Sequence, residues 1–289
     1  MITRFAPSPT GPLHLGHAYA AILAHDMARA AGGRFLLRIE DIDRDRARPE
    51  WEALIIEDLQ WLGLSCDGPF LRQSENQPTY DAALDRLWAM GLLYPCACTR
   101  RDIAQALSAP QEGATALIGP DGPVYPGTCR GAARHGPRPH DQHLRLDLAA
   151  ALARMGARTT HFLETGPAQK GCIITDTASY CQEIGDIVIA RRDMGTSYHL
   201  SVVLDDAAQA VTHVTRGDDL FEATRIHVLL QQLLSLPTPI YHHHRLIRDE
   251  NGKRLAKRDD ARALRLYRAE GATAQDLRRM LGIPAFFVS

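Results

Sequence analysis

The sequence contains no apolar run approaching the roughly 18 residues that a transmembrane helix requires, so we expect no membrane partner. Its first residues lack the basic end and apolar stretch of a secretory signal peptide, which predicts a cytoplasmic protein. Neither sign of charge dominates, because 33 Lys and Arg face 34 Asp and Glu. The resulting formal charge of −1 excludes binding of polyanions by bulk charge, although a local basic face is still compatible with it. Six cysteines in 289 residues are too few for a disulfide scaffold, and there is no internal repeat.

What is present is the composition of an ordinary globular protein, with 45% hydrophobic and 23% charged residues. The first ninety or so residues predict a β-α-β unit, formed by a strand at Met1–Phe5, a helix from about Leu15 to Ala31 and a strand at Arg34–Ile39. Two amphipathic helices are predicted near Trp51–Leu62 and Thr79–Met90. This pattern is half of a doubly wound parallel sheet, in which ligands bind at the carboxyl ends of the strands.

Residues 105–142 differ from the rest, because Gly, Pro and Ala dominate and no period holds, which predicts a loop. Regular signals then return as a helix around Glu222–Leu234 and as strands at His143–Leu148, Asp186–Ala190, Tyr198–Leu204, Val211–Thr215 and residues 239–242. We therefore predict an α/β nucleotide-binding fold split by an insertion. Its parts are residues 1–91 as the first half of the catalytic domain, 92–185 as the insertion, 186–252 as the second half, and 253–289 as a lysine loop and short helical tail.

Two motifs at opposite ends of the chain indicate phosphate chemistry. The sequence HLGH at residues 14–17 lies where the turn after the first strand becomes the first helix. A helix N-terminus attracts phosphate through its free N–H groups and dipole, the histidines add donors, and Gly16 leaves room for a flat base. Two histidines that merely cap a helix are the alternative. The basic segment 253–258, which in isolation is a solvated charge run, would supply Lys257 to a leaving pyrophosphate.

Three of the six cysteines cluster at Cys96, Cys98 and Cys129, which suggests a metal site rather than disulfides. Three thiolates and one further ligand suit tetrahedral zinc. From the residues alone, His135 or His140 is a more ordinary fourth zinc ligand than the phenol of Tyr125. Three buried thiols without a metal are the alternative.

The run of histidines at 242–244 invites a second metal site, but adjacent residues of a strand point to opposite faces. We therefore interpret it as lining of the site near the adenine. The remaining cysteines, Cys66, Cys172 and Cys181, have no metal spacing.

Several ordered motifs together resemble the class I glutamyl-tRNA synthetases, over essentially the whole chain. They are RFAPSPTG (4–11), HLGH (14–17), RIEDID (38–43), YHLSVVLDD (198–206), RGDDL (216–220) and the loop around Lys257. The loop departs from the family's pattern at Arg254, which keeps a charge, and at Ala256, which removes a hydroxyl. Only about thirty residues follow Arg258, so we expect no anticodon-binding domain. The chain in this respect resembles the truncated members of the family, the glutamyl-queuosine tRNA(Asp) synthetases.

This resemblance implies a Rossmann-like class I fold with an inserted zinc-containing subdomain of the acceptor type. It implies roles for named residues as follows: His14, His17 and Lys257 in catalysis; these three and Gly16 in binding ATP with Mg²⁺; Arg4, Ala6, Ser8, Glu40, Tyr198 and Arg216 in binding glutamate; and Cys96, Cys98, Tyr125 and Cys129 as ligands of one structural Zn²⁺.

The resemblance also implies an activity. A cytoplasmic monomer would activate L-glutamate with ATP, without tRNA, and transfer it to queuosine in the anticodon loop of tRNA(Asp). Alternatives are a minimal glutamyl-tRNA synthetase that charges the 3′ end of tRNA(Glu), an adenylyl-transferring enzyme of cofactor synthesis, and a non-catalytic regulator descended from a synthetase. An adenylyl-transferring enzyme of cofactor synthesis would not be expected to carry the residues assigned to glutamate, namely Arg4, Glu40, Tyr198 and Arg216. A non-catalytic regulator would be expected to lose His14, His17 or Lys257.

Overall fold

The computed structural model describes residues 1–108, 117–132, 134–156, 159–248 and 262–284. Within these ranges, no helix has both the length and the apolar character needed to cross a membrane. The predicted lysine loop, including Arg254, Ala256 and Lys257, lies outside the described residues.

The described strands are β1 (Ile2–Phe5), β2 (Arg34–Ile39), β3 (Leu71–Arg72), β4 (Leu93–Cys96), β5 (Ile118–Gly119), β6 (Gly122–Pro123), β7 (His143–Leu146), β8 (Thr159–Glu164), β9 (Gly171–Asp176), β10 (Val188–Ala190), β11 (His213–Gly217) and β12 (Ile240–His244). The described helices are α1 (Leu15–Ala30), α2 (Pro49–Trp61), α3 (Gln77–Ala89), α4 (Arg100–Ser108), α5 (Leu148–Met155), α6 (Thr177–Ser179), α7 (Tyr198–Ala208), α8 (Thr224–Leu234), α9 (Leu264–Ala269) and α10 (Ala274–Met280). Short turns of 3₁₀ helix cover Gln73–Glu75 and Asp218–Leu220, and a π-helical turn covers Tyr180–Ile184.

A largely parallel sheet organises these elements. Strand β1 pairs with β2 and β2 with β3, while β11 pairs with β12 and β12 with β8, all in parallel, and β9 closes the edge antiparallel to β8. Strands β1 and β11 lie side by side, joined where the amide of Thr212 donates to the carbonyl of Ile2 at 3.0 Å. The order is therefore β3-β2-β1-β11-β12-β8-β9. Its progression reverses between β1 and β11, and such a switch point is where open α/β sheets bind ligands.

Helix α1 lies against β1 and β2 as the sequence predicts. Its buried face is rich in alanine, which lets the helix approach the sheet closely, and Thr3 on β1 donates to the carbonyl of Ala24 at 2.7 Å. The helix ends before Gly32, whose φ of +59° lies in the left-handed region that favours glycine. At Gly33 a side chain is excluded, since a Cβ would lie 2.0 Å from the carbonyl oxygen of Met1.

The prediction of a strand at Tyr198–Leu204 is wrong, because these residues begin helix α7. Ser197 caps the helix through its side chain, which accepts from the amide of Leu200 at 3.4 Å. Every residue from 199 to 206 is buried, so the helix lacks the polar stripe that produces a 3.6-residue period. A helix buried all round and containing adjacent valines cannot be distinguished from a buried strand by pattern alone.

Other differences are local. Strand β7 ends at Leu146 rather than Leu148, because Asp147 caps α5 by accepting from the amide of Ala150 at 3.0 Å. The loop predicted at 105–142 contains the end of α4 and the small hairpin of β5 and β6. The sequence analysis missed β8 and β9, which lie within residues 92–185, the segment predicted as an insertion, and extend the main sheet beside β12.

A buried carboxylate, Asp205 on α7, ties that helix to the segment that includes β3 and α3. Its oxygens accept hydrogen bonds from Gln73 at 2.7 Å, from Asn76 at 2.8 Å and from the Tyr80 hydroxyl at 2.9 Å. Burial raises the pKa of Asp205, although nearby Arg38 and these hydrogen bonds oppose the rise. The buried carboxylate of Asp205 is therefore stabilised by these hydrogen bonds and by Arg38.

We expect Asp205→Ala to lower the free energy of unfolding by about 3–5 kcal/mol, because it leaves buried donors unpaired and removes a counter-charge from buried Arg38. Urea denaturation measures this change. The matched control is Asp141→Ala, at an exposed position with no ion pair among the described residues, which should stay within about 0.5 kcal/mol. A cost below about 1 kcal/mol for Asp205→Ala would contradict the proposed dependence.

Candidate functional site

A cleft of about 810 Å³ opens at the carboxyl ends of β1, β11 and β12, next to the switch point of the sheet. This volume lies within the usual range for sites that bind small molecules. The predicted site residues that line it are Arg4, Ala6, Ser8, His14, Gly16, His17, Glu40, Tyr198 and Arg216. The structure thus brings together every predicted glutamate and ATP residue except Lys257, which lies outside the described ranges.

The two histidines of the HLGH motif both cap α1 and line the cleft, so the capping alternative and the functional one are compatible. Nδ1 of His14 accepts from the amide of Gly16 at 3.1 Å, and Nδ1 of His17 accepts from the amide of His14 at 3.1 Å. A neutral ring whose Nδ1 accepts carries its proton on Nε2, which makes Nε2 a donor. A Cβ at Gly16 would lie 2.9 Å from Cε1 of His14, so a larger residue would displace that ring.

A buried ion cluster supports the floor of the cleft. One oxygen of Asp206 lies 2.9 Å from Nε of Arg4 and 2.6 Å from Nη1 of Arg38, and Arg38 also reaches Glu40 at 3.3 Å. Burial would raise the pKa of Asp206, but the two guanidinium groups hold it below its usual value. For Glu40, burial dominates over the attraction of Arg38 and Arg4 and raises the pKa.

Arg216, at the end of β11, is held by acceptors on three sides. Its Nε donates to Nε2 of His243 at 3.0 Å, its Nη1 lies 2.9 Å from Nδ1 of His227, and its Nη2 donates to the hydroxyl of Thr224 at 2.5 Å. Tyr198 lines the same cleft as Arg216 and is half-buried. Burial raises the pKa of its phenol.

Of the histidine run at 242–244, which the sequence predicts to line the site, His244 alone lines the cleft. It packs edge-on against Tyr19, with ring centroids 5.0 Å apart. His243 is buried beside Glu164, and His242 contacts the hydroxyl of Thr165 at 3.0 Å. The three rings thus have different partners, and in the described chain they do not form a metal-binding group.

The cysteine cluster lies apart from the cleft, in the segment predicted as an insertion. The sulfur atoms of Cys96, Cys98 and Cys129 all lie within 4.8 Å of one another, and the Tyr125 hydroxyl is 3.4 Å from the first and 3.3 Å from the second. In the described part of the chain neither His135 nor His140 belongs to this group.

The environment of the thiols bears on metal binding, because a metal takes the thiolate form. Burial raises the pKa of the Cys98 thiol to about 11, whereas the hydrogen bond with Tyr125 lowers that of Cys129 to about 7. Arg145 donates to the sulfur of Cys96 at 3.3 Å. Three converging sulfurs supply three of the four ligands that a tetrahedral thiophilic ion takes, while burial raises the pKa of the neighbouring Tyr125 phenol.

A family model described as "tRNA synthetases class I (E and Q), catalytic domain" matches residues 1–130 and 143–286. The chain belongs to this class I synthetase family. It is a ligase of the aminoacyl-tRNA synthetase type, and the resemblance inferred from its motifs is confirmed.

Relatives refine the comparison. A Rhodobacter capsulatus protein named Glutamyl-Q tRNA(Asp) synthetase is 65% identical, over 98% of this chain and 100% of that one. A protein of the same name from Symbiobacterium thermophilum is 42% identical, over 94% of this chain and 82% of that one. Among solved structures, a glutamate tRNA ligase from Elizabethkingia meningosepticum superposes with a TM-score of 0.67 at 27% identity, over 90% of this chain and 52% of that one. The synthetase described here therefore spans about half the length of that structure.

Several site residues of this synthetase were missed as functional candidates, some inside the motifs and some outside them. Arg38 and Asp206 lie in RIEDID and YHLSVVLDD, and a charged residue inside an otherwise apolar run was the available signal. His227 and Glu164 had no such signal, because their partners are brought to them only by the sheet.

Proposed function

We propose that the protein activates L-glutamate with ATP, without tRNA, and transfers the glutamyl group to queuosine in the anticodon loop of tRNA(Asp). The observation that carries the proposal is the convergence, in one cleft, of a histidine-capped helix N-terminus with two arginines and a carboxylate suited to an acidic amino acid. The name of the relative that is 65% identical over the full chain supports the choice of acceptor.

The charges of the cleft suit glutamate. Arg4 would bind the side-chain carboxylate, a task for which a planar guanidinium is well shaped. Glu40 would face the α-ammonium group, and its raised pKa means that a cation gained with the substrate would favour its ionised form. Ala6 and Ser8 would border the amino acid, and Tyr198 with Arg216 would complete the pocket; these residues also line the cleft.

The first step forms glutamyl-adenylate. An oxygen of the glutamate α-carboxylate attacks the α-phosphorus of ATP, and the bond to the bridging oxygen breaks as pyrophosphate leaves. His14 and His17, at the positive end of the α1 dipole, would stabilise charge on the phosphates near Gly16, with Lys257 as a further cation. Mg²⁺ bound with ATP would neutralise part of the phosphate charge. No side chain needs to act as a covalent nucleophile.

In the second step a hydroxyl of the acceptor attacks the carbonyl carbon of the adenylate, and AMP leaves. We propose that this hydroxyl belongs to the cyclopentenediol of queuosine. Bases of a single-stranded loop can be unstacked and presented to a protein site, which makes an anticodon loop a feasible ligand for the cleft. Charging of tRNA(Glu) at its 3′ end is the second candidate, favoured by the likeness to a glutamate tRNA ligase.

We expect glutamate-dependent exchange between ATP and pyrophosphate with protein, Mg²⁺, ATP and glutamate alone. Lys257→Ala should slow the exchange by roughly 10²–10³, because it removes one transition-state charge contact. Arg4→Leu should abolish use of glutamate, whereas Arg154→Leu, at an exposed arginine outside the cleft, should not change it. Because Arg4 also pairs with Asp206, Arg4→Lys retains the charge and separates recognition from folding. A folded preparation that shows no exchange without tRNA would refute this step.

We also infer that the cysteine cluster binds one structural Zn²⁺. Protein purified without chelators should contain about one zinc per chain, and Cys96→Ser or Cys129→Ser should lose it and lower the melting temperature. Cys172→Ser, at an exposed cysteine outside the cluster, is the control. Tyr125→Phe tests the phenol: unchanged zinc affinity would remove Tyr125 from the ligand set, and a metal content near zero in the native protein would refute the site.

The acceptor is tested with labelled glutamate and two forms of tRNA(Asp). We expect label on tRNA that carries queuosine and none on the same transcript without it. Glutamate on the queuosine diol should protect that diol from periodate added afterwards, while periodate added first should prevent transfer. Efficient charging of unmodified tRNA(Glu) at its 3′ end would instead identify a minimal glutamyl-tRNA synthetase.

A further inference from the structure

Two buried hydrogen bonds and one ion-pair contact lead from the cleft to the segment predicted as an insertion. It starts at Nη1 of Arg216, 2.9 Å from Nδ1 of His227. Nε2 of His227 lies 3.1 Å from Nδ1 of His199, and Nε2 of His199 lies 3.4 Å from a carboxylate oxygen of Asp121. Both histidines are at least nine-tenths buried, while Asp121 stands at the turn of the β5–β6 hairpin. The line therefore joins α7 and α8 to a hairpin of the insertion.

The direction of both hydrogen bonds in this line follows from the chemistry of Arg216, its first member. A guanidinium has donors only, so Nδ1 of His227 must accept, and the proton of the neutral ring is on Nε2. That Nε2–H donates to Nδ1 of His199, which in turn places the proton of His199 on the Nε2 that faces Asp121. The carboxylate of Asp121, 3.4 Å from that nitrogen, ends the line as a nearby negative charge.

The other edge of Arg216 repeats the arrangement. Its Nε donates to Nε2 of His243, so the proton of His243 lies on Nδ1, which contacts Glu164 at 2.5 Å. Burial would raise the pKa of Glu164, but the hydrogen bonds from the His243 side chain and backbone and from the amide of Gly166 lower it to about 2. A neutral imidazole thus accepts from each edge of the guanidinium, and each imidazole is directed by a carboxylate further out.

The surroundings keep His227 neutral. Its ring faces Arg216 on β11, His199 on α7, and more distantly Arg4 on β1 and His243 on β12, all of which disfavour a second positive charge. Burial, followed by the charge of Arg216, lowers its pKa well below the usual value. Protonation would remove the acceptor that Arg216 uses.

We propose that His227 and His199 are positioning residues that fix the orientation of Arg216 toward bound glutamate. Asp121 couples this orientation to the segment predicted as an insertion. The inference rests on the proposed function in one respect, namely that Arg216 binds glutamate. A guanidinium already held by its neighbours loses less freedom when the substrate binds, so its orientation improves glutamate affinity rather than the chemical step.

The arrangement is tested directly by long-range ¹H–¹⁵N NMR of protein labelled with ¹⁵N-histidine at pH 7. We expect the Nε2–H tautomer for His227 and His199 and the Nδ1–H tautomer for His243, with signals assigned from single His→Gln variants. This result does not depend on any activity. An Nδ1–H tautomer or a charged ring at His227 would overturn the proposed direction of the line.

Kinetics test the effect on substrate. His227→Leu should raise the KM for glutamate about tenfold in the exchange assay, the loss of one hydrogen bond to a charged group, with the KM for ATP changed less than about twofold. His227→Gln should restore most of the affinity, because an amide can accept from Arg216 and donate to His199. The control His161→Leu, at an exposed histidine on β8, should behave as the native protein.

Asp121→Ala keeps the inference testable if His227→Leu does not fold, since Asp121 is 45% exposed and outside the core. We expect a rise of about two- to fivefold in the KM for glutamate and a shifted His199 signal, with Asp121→Asn closer to native. Unchanged KM and unchanged signal would remove Asp121 from the line. Native protein without glutamate-dependent exchange would refute the proposed function, whereas native exchange with an unaltered glutamate KM in His227→Leu would refute only the positioning role.

Discussion

Asp206 accepts hydrogen bonds from Arg4 and Arg38 within the protein interior, and the cleft depends on this interaction. The two arginines come from β1 and β2, and the carboxylate comes from α7, so one ion cluster fixes a helix to the first two strands. Arg38 has no exposed surface, and such a cation is tolerated only with close counter-charges and hydrogen bonds. Arg4 and Glu40 also line the cleft, so residues that support the fold are the ones proposed to bind glutamate.

The insertion contributes to the cleft as well as to its own cluster of cysteines. Its strand β8 pairs with β12 and supplies Glu164, the partner of His243, while its hairpin places Asp121 next to His199. Only three residues separate Asp121 from Tyr125, which contacts the cysteine sulfurs. The geometry around Arg216 is therefore built from both halves of the sheet and from the inserted segment between them.

Local signals were sufficient for a large part of the fold. The β-α-β unit, α1 with its glycine stop, and the strands β11 and β12 follow from turn residues, caps and apolar runs, which act between neighbours in the chain. Nine of the residues lining the cleft were also predicted as glutamate or ATP residues, because HLGH begins α1 while RIEDID and RGDDL stand at the ends of β2 and β11, near the switch point.

The sequence by itself thus determined the class of fold, the family and the positions of the chemical groups. The tertiary structure decided what those groups touch. It made α7 a helix although its apolar run resembles a strand, because burial on all sides removes the period that distinguishes the two. It also brought His227, His199 and Glu164 around Arg216 from distant parts of the chain. Contacts of this kind arise from the packing of whole elements, and no pattern of neighbouring residues encodes them.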